Sequence, residues 1–232
     1  MIHRYITYFS IIFLLHNVSN VMAEASEGEA VGSALHQFRV VDVVDGLDTP
    51  WSMAWLPNGD MLVTERPGRL RVFSKGELSS PVKGVPEVHA ESQGGLFDVL
   101  PHPNFASNSL VYLSFAKPLA DGSTTTVVRG RLQDNRLSAI EEIFQAKTSG
   151  KSGHYGGRLA FDNQGYLFIT VGDRQAGTKG DLTLHPAQNR SNHQGVVVRL
   201  KDDGRVPLDT RSLASKGCCP KYGVMDTVIH KA

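Results

Sequence analysis

Short apolar runs, broken by glycine, proline, asparagine and aspartate, dominate the hydrophobic pattern of the chain, and helical periodicity is nearly absent. The segment 51–73 is typical, because it reads as three strands that are joined by tight turns. Its first turn contains Asn58-Gly59, a pair that tolerates the positive φ of hairpin turns. Its third strand, 70–73, alternates between polar and apolar residues. Three hairpin-linked strands in about 25 residues predict most of one blade of a β-propeller.

The same pattern returns further along the chain. Further strands are predicted at 110–115, 126–132, 157–161, 166–171 and 195–200. Turn signals near residues 59, 108 and 165 lie about 50 residues apart, which is the length of a propeller blade. A β-sandwich would contain similar short strands, and this recurrence is what favours a propeller. We therefore predict an all-β chain with about three blades, too few for a closed ring of about 4–8 blades.

Charge and motif content exclude several classes of function. The net charge is +1 and no long basic run occurs, so nucleic acid binding has no electrostatic support. No glycine-rich phosphate motif follows a predicted strand, which argues against a nicotinamide cofactor. The sequence contains no His-x-x-x-His, no CxxC and no loop of the EF-hand kind, and we predict no metal ligands in this chain.

The N-terminus has the three parts of an export signal. A basic start is followed by mostly apolar residues at 6–15 and by Val21-Met22-Ala23, a small-x-small cleavage pattern. The apolar stretch is too short to cross a hydrocarbon core of about 30 Å. We predict that residues 1–23 are a cleaved signal peptide and that residues 24–39 are a linker. The mature protein would then be periplasmic or secreted, with no membrane span.

Six motifs follow one another in order between about residue 40 and residue 208. They are GLDTPW at 46–51, PNGDMLVTER at 57–66, QGGL and DV within 93–99, HPNF at 102–105, HYGGRL and GDR within 154–174, and QGVVVRL at 194–200. Together they resemble the glucose/sorbosone dehydrogenase family, especially its bacterial soluble aldose sugar dehydrogenases. The resemblance implies that 40–208 is part of a six-bladed propeller. It also implies oxidation of aldose sugars with pyrroloquinoline quinone and calcium.

The resemblance assigns roles to three residues. His154 matches the family's general base, and an imidazole suits that task because its pKa lies near the operating pH. Gln93 matches a glutamine that contacts the quinone, where its amide can both donate and accept hydrogen bonds. Asp173 matches an aspartate that could orient the histidine or bind the sugar. From the residues alone, each of the three could equally be an ordinary loop or turn residue.

Three other conspicuous side chains in these motifs are expected to be structural. Arg158, in HYGGRL, is expected to make structural hydrogen bonds. Trp51 and Trp55 are expected to belong to the core and not to form a platform for the sugar.

The resemblance stops after Asp209. The family continues with Leu-Pro-Glu-Ile-Trp-Ser-Tyr-Gly-His-Arg-Asn-Pro-Gln-Gly, and one nucleotide string can encode both that segment and residues 219–232 of this chain, read one base apart. We therefore predict a single-base deletion near codon 209 and an out-of-frame tail at 209–232. The family's Arg-Asn pair and its calcium ligands would lie downstream, and Cys218 and Cys219 would have no disulfide role. The chain as given is expected to be an inactive fragment.

Two classes of function remain open at this point. The primary hypothesis is a quinoprotein oxidoreductase that oxidises aldose sugars at the anomeric hydroxyl, with hydride transfer to pyrroloquinoline quinone. Its partners would be a small sugar and an external electron acceptor. The alternative is a non-catalytic periplasmic β-propeller that serves as a binding module. A half-propeller that does not fold is the third possibility.

Overall fold

The computed structural model describes residues 30–148, 153–177, 180–208 and 223–225, and it is almost entirely β. The strands are β1 Ala30–Gly32, β2 Gln37–Arg39, β3 Pro50–Trp55, β4 Met61–Glu65, β5 Arg69–Ser74, β6 Glu77–Leu78, β7 Leu96–Pro101, β8 Leu110–Leu119, β9 Gly122–Gln133, β10 Arg136–Gln145, β11 Gly156–Phe161, β12 Tyr166–Val171, β13 Val196–Lys201 and β14 Gly223–Met225. The helix α1 spans Phe105–Asn108, and two 3-10 turns span Leu182–Leu184 and Pro186–Gln188. The all-β prediction is confirmed.

The chain divides into two units, Met1–Val43 and Val44–Ala232. In the first unit, β1 and β2 form a two-stranded antiparallel sheet within the segment that was predicted to be a linker. The predicted signal peptide, 1–23, lies outside the described residues. The domain boundaries drawn from the sequence therefore stay predictions.

The second unit contains three four-stranded antiparallel sheets, β3–β6, β7–β10 and β11–β14. Within each sheet every strand pairs with the next strand along the chain. The first strand of the middle sheet, β7, contacts both β3 and β11. The sheets are therefore three propeller blades, as the sequence predicts, and their first strands lie side by side.

The turns that recur about every 50 residues are equivalent positions of the three blades. Each one joins the first strand of its blade to the second: β3 to β4, β7 to β8 and β11 to β12. In the first turn, Gly59 has a φ of +88° and donates its N–H to Leu56 O over 3.0 Å. The second turn is longer, because it contains α1. The recurrence in the sequence therefore measures the length of a blade.

Two of the strands that the sequence pattern did not predict, β7 and β10, were missed for opposite physical reasons. The strand β7 is buried along most of its length, so it lacks the alternation of polar and apolar residues that marks a half-exposed strand. The strand β10 is mostly exposed and contains Glu141 and Glu142. It also has irregular register with β9 near these residues, which breaks the period of two.

The fourth strand of the last blade lies in the segment predicted to be out of frame. Val224 pairs with Val198 of β13 in an antiparallel ladder. Such a ladder uses backbone groups, which every residue except proline supplies in full, so it does not require a particular sequence. The origin of the tail stays a prediction.

Apolar side chains fill the spaces between neighbouring blades. Between the first and second blades, the buried residues include Leu62, Leu70, Val99 and Leu113. A second cluster joins the middle and last blades, and its larger members are Tyr112, Phe144, Leu159, Leu167, Ile169 and Leu200. Each such side chain contributes about 1.5–3 kcal/mol on burial. Blade stacking is therefore the main source of stability in this unit.

The two tryptophans do not belong to this core, so that expectation was wrong. Trp51 is 42% exposed and Trp55 is 59% exposed. Both lie on β3, where side chains alternate between the two faces, and Ser52 is the residue that points into the protein. The period of two therefore places the tryptophans on the more exposed face, although Trp51 still contacts Phe97 at a ring distance of 5.6 Å.

One buried carboxylate connects all three blades. Asp98 on β7 is 3% exposed and accepts hydrogen bonds from the Ser52 hydroxyl on β3 and from Leu159 N–H on β11. The distance from Leu159 N to Asp98 Oδ2 is 2.7 Å. Arg158 adds a longer contact of 3.3 Å to Asp98 Oδ1. Because both carboxylate oxygens accept, an amide could satisfy only part of this arrangement.

We expect Asp98→Asn to lower the free energy of unfolding by about 1–3 kcal/mol, the cost of leaving a buried donor without an acceptor. Urea unfolding of the 232-residue chain, followed by tryptophan fluorescence, measures this change. The matched control is Asp134→Asn, at an exposed turn position with a φ of +48° that asparagine tolerates well. Equal midpoints for the two variants would show that Asp98 does not hold the blades together.

Candidate functional site

Three loops at one end of the blades bring Gln93, His154 and Asp173 together. Gln93 precedes β7, His154 precedes β11, and Asp173 follows β12. The strands β11 and β12 are antiparallel, so the start of one lies beside the end of the other. The β7 and β11 strands are neighbours, which places the start of β7 next to them. Residues that are far apart in the sequence therefore share one edge of the propeller.

His154 is the centre of this group. Its ring Nδ1 lies 2.8 Å from Asp173 Oδ1, and its backbone N–H donates to Gln93 Oε1 over 2.9 Å. An ionised carboxylate can only accept, so we assign the proton of the neutral ring to Nδ1. The other ring nitrogen, Nε2, is then an unprotonated acceptor. The His154 side chain is 55% exposed, so a ligand can approach that nitrogen.

Three other histidines among the described residues are held in the opposite way. The Nδ1 atoms of His102, His185 and His193 each accept a backbone N–H, at distances of 2.9, 3.1 and 2.8 Å. Burial and the nearby Lys147 charge also lower the pKa of His193 to about 4. Backbone contacts therefore fix the orientation of these three imidazoles. His154 differs because its Nδ1 faces a carboxylate and its ring is open to solvent.

The backbone around His154 is tightly constrained. His154 has a φ of +41°, which is uncommon for a residue with a side chain. Its carbonyl oxygen accepts Arg174 N–H over 3.2 Å and approaches Gly172 so closely that a Cβ there would lie 2.0 Å from it. The glycine of the GDR motif is therefore a steric requirement for the approach of the His154 loop to the end of β12.

A buried arginine clamps the same loop. Arg174 is 3% exposed, and its Nε–H donates to Gly153 O over 3.0 Å while Nη1 donates to Ser123 O over 2.8 Å. Its guanidinium lies 3.8 Å from the centre of the Tyr155 ring, a cation–π arrangement. Burial lowers the pKa of this guanidinium from its usual value. The sequence placed Arg174 in the GDR motif without indicating these contacts.

A second arginine holds the loop that carries Gln93. Arg66 Nη1 donates to Ala90 O over 3.0 Å and to Ser92 O over 2.9 Å. Arg66 O accepts the N–H of Leu96 at the start of β7. The Gln93 loop is thereby fixed to the end of the first blade, next to the His154 loop.

The loop after β12 contributes two further residues near Asp173. Gln194 Nε2 donates to the Asp173 backbone carbonyl over 2.8 Å. His185 Nε2 lies 3.6 Å from Asp173 Oδ2. The sequence did not indicate His185, because it lies outside the recognised motifs and reaches Asp173 only through the fold of a long loop.

Arg158 makes the structural hydrogen bonds that were expected of it. Its Nη1 lies 3.3 Å from both the Ser52 hydroxyl and Asp98 Oδ1. Its side chain is nevertheless 66% exposed. Arg158 therefore anchors one side of its guanidinium and presents much of the rest to solvent.

The polar groups at this edge fit part of a quinone site better than a metal site. Gln93 uses Oε1 for His154, so its amide N–H groups remain to donate to a quinone oxygen. In the part of the chain that the structure describes, no group of three His, Cys, Asp or Glu side chains is placed to hold a metal ion. These residues alone do not fit a calcium site.

Two surface clefts lie away from these loops. Both clefts lie at the end of the blades that is opposite to these loops. They are lined by residues of the β3–β4 turn and by Phe105 of α1. Among the residues that the structure describes, no helix is long and apolar enough to cross a membrane.

A protein-family model for glucose/sorbosone dehydrogenase matches residues 47–221. The chain belongs to this family. The match begins in the GLDTPW motif, contains Gln93, His154 and Asp173, and extends to residue 221, past Asp209, after which the resemblance in the sequence stops.

Several proteins that are similar to this chain are named as sugar dehydrogenases. The aldose sugar dehydrogenase YliI of Escherichia coli is 40% identical over 179 residues, which cover 75% of this chain and 46% of the relative. A solved glucose dehydrogenase has a TM-score of 0.72 at 44% identity and covers 78% of this chain and 52% of its own. The aldose sugar dehydrogenase of Streptomyces coelicolor, solved with pyrroloquinoline quinone bound, has a TM-score of 0.62 at 27% identity. The match covers 78% of this chain and 51% of that protein.

These comparisons confirm the propeller, because the solved neighbours are β-propeller dehydrogenases. The chain spans about half the length of the relatives that it matches. The three described blades therefore correspond to roughly half of such a protein.

Proposed function

We propose that this chain supplies one half of the active site of a quinoprotein dehydrogenase that oxidises aldose sugars at the anomeric hydroxyl. The observation that supports this most directly is the His154–Asp173 pair, with Gln93 bonded to the His154 backbone. The E. coli and S. coelicolor relatives, named as aldose sugar dehydrogenases, support the substrate class.

His154 acts as the general base in this proposal. Its Nε2 takes the proton of the anomeric hydroxyl while the anomeric carbon loses its hydrogen as a hydride, and a lactone is formed. Pyrroloquinoline quinone, when bound, supplies the two-electron acceptor for that hydride. Asp173 accepts from Nδ1 and stabilises the imidazolium that results, as carboxylates do beside catalytic histidines.

Gln93 has two tasks. Its Oε1 holds the His154 backbone N–H, and its amide N–H groups are free to donate to the quinone. A change to alanine would remove both contacts at once. A change to glutamate keeps an acceptor for His154 and removes the N–H donor, so this pair of variants separates the two tasks.

We expect Gln93→Glu to weaken quinone binding by about 1–3 kcal/mol, because a quinone oxygen loses its donor and faces a carboxylate. The measurement is a quinone titration of the frame-restored protein, in which one base is returned at codon 209. In Gln93→Ala we expect the same weakening together with a lower kcat, since His154 loses its support. Unchanged quinone affinity in Gln93→Glu would show that Gln93 does not contact the cofactor.

We also propose that the protein is exported and meets a small sugar and an external electron acceptor outside the cytoplasm. The mature chain is expected to begin near Glu24, after the small-x-small pattern at 21–23. N-terminal sequencing of periplasmic material checks this, and a sequence that starts at Met1 would contradict it.

The whole proposal is tested by reconstituting the frame-restored protein with pyrroloquinoline quinone and calcium and assaying several aldoses. Quinone-dependent oxidation of an aldose is the expected result. Binding of a sugar without any turnover would instead support the non-catalytic binding module.

A further inference from the structure

A second imidazole lies beside the Asp173 carboxylate. His185 Nε2 is 3.6 Å from Asp173 Oδ2, whereas His154 Nδ1 is 2.8 Å from Asp173 Oδ1. The two histidines thus approach different oxygens of one carboxylate. His185 directly precedes the second 3-10 turn, and its side chain is only 12% exposed.

Two backbone contacts fix the protonation of His185. Ala187 N–H donates to Nδ1 over 3.1 Å, so Nδ1 carries no proton. The proton of the neutral ring is therefore on Nε2, which donates to Ala176 O over 2.9 Å. The imidazole bridges the 3-10 turn and the loop that begins with Asp173, and its N–H points toward that loop.

The Asp173 carboxylate is partly exposed, and one of its oxygens is shared between two neighbours. Its side chain is 29% exposed, and Oδ1 is shared between His154 and Gln175 N–H, which lies 3.0 Å away. Arg174 follows it in the sequence, but the guanidinium is directed at Gly153 O and Ser123 O. Among the described residues, the titratable groups within ion-pair distance of Asp173 are His154 and His185.

Building on the proposed function, we propose that His185 is a positioning residue for the His154–Asp173 pair. It holds the Asp173 loop through Ala176 O and presents its Nε2–H dipole to Asp173 Oδ2. This leaves Oδ1 directed at His154 Nδ1–H, and His154 Nε2 stays unprotonated and ready to receive a proton. A neutral donor suits this place, because a neutral imidazole adds no competing positive charge beside the carboxylate.

Two amide variants separate the contacts of His185. In His185→Gln, the side-chain nitrogen occupies roughly the position of Nε2 and can still donate to Ala176 O. In His185→Asn, the shorter side chain can accept from Ala187 N–H, as asparagine does at helix N-caps, but it cannot reach Ala176 O. Both variants keep a polar side chain at the turn, so loss of folding is not the expected outcome of either.

The test is ¹H–¹⁵N correlation spectroscopy of the 232-residue chain labelled with ¹⁵N at histidine, which reports the ring nitrogen that carries the proton. The parent is expected to show His185 protonated at Nε2 and His154 protonated at Nδ1. His185→Gln should keep the His154 tautomer. His185→Asn should lose it in favour of the Nε2–H form, and His36→Gln is the control that should leave both rings unchanged.

Three outcomes would overturn the inference: a His185 protonated at Nδ1, a parent His154 protonated at Nε2, or a His154 tautomer that is the same in His185→Asn as in the parent. The spectra need neither quinone nor sugar. Failure of sugar oxidation in the frame-restored protein would therefore refute the proposed function without changing the tautomers. Likewise, an unexpected tautomer would refute the role of His185 without changing the result of the sugar assay.

Discussion

Replacing His154 with alanine in the frame-restored protein is expected to lower kcat by about 10²–10⁴-fold, the usual contribution of a general base. The reason lies in the His154 ring, whose Nδ1 is held 2.8 Å from Asp173 Oδ1 while Nε2 stays available to a ligand. Alanine leaves the hydroxyl proton with no acceptor of suitable pKa. Quinone affinity should change little, because the backbone N–H that bonds to Gln93 remains.

The measurement is steady-state oxidation of an aldose together with a quinone titration of the same sample. The matched control is His36→Ala, which removes an imidazole from the β1–β2 turn in the other unit of the chain. Asp173→Asn provides a second comparison, since an amide can turn its N–H toward Nδ1 and favour the wrong tautomer. Activity of His154→Ala within about twofold of the parent would show that His154 is not the general base.

The fold was largely predictable because blades repeat. The strands β3, β4 and β12 could be located as short apolar runs between turn residues, and the turn near Gly59 marks the same blade position as the turn near Gly165. The strands β7 and β10 could not be located, since one is buried on both faces and the other is bulged and acidic. Alternation identifies strands that are exposed on one face, whereas the fully buried β4 was located from the turns on either side of it.

The three candidate residues could be chosen from the sequence, but the contacts between them could not. Gln93, His154 and Asp173 came from the resemblance, and the structure places them in one group. The bond between His154 and Gln93 joins positions 61 residues apart, and the bond to Asp173 joins positions 19 residues apart. Such contacts depend on where strands begin and end in space. His185 and the buried Arg174 act through backbone carbonyls, for which the sequence carries no residue-specific signal.

The 232-residue chain by itself is expected to oxidise no sugar and to bind pyrroloquinoline quinone weakly or not at all. It spans about half the length of its relatives, and the candidate residues Gln93, His154 and Asp173 lie at one edge of three blades. His154 is 55% exposed, so water has free access to the position where the hydroxyl proton would be removed. An active site that does not exclude water loses much of the strength of its electrostatic interactions. The family's Arg-Asn pair, which the resemblance assigns to the cofactor site, is predicted to lie beyond residue 209.

Expression of the mature chain, followed by quinone titration and assay with glucose, measures this directly, and the frame-restored protein is the matched control. Returning one base near codon 209 should open a frame of some 130–170 further residues, as roughly three more blades of about 50 residues require. A prompt stop in every frame would refute the deletion. Quinone-dependent glucose oxidation by the 232-residue chain would show instead that three blades hold a complete site. The exposed His154 face would then have to be closed by something other than a second half of the ring.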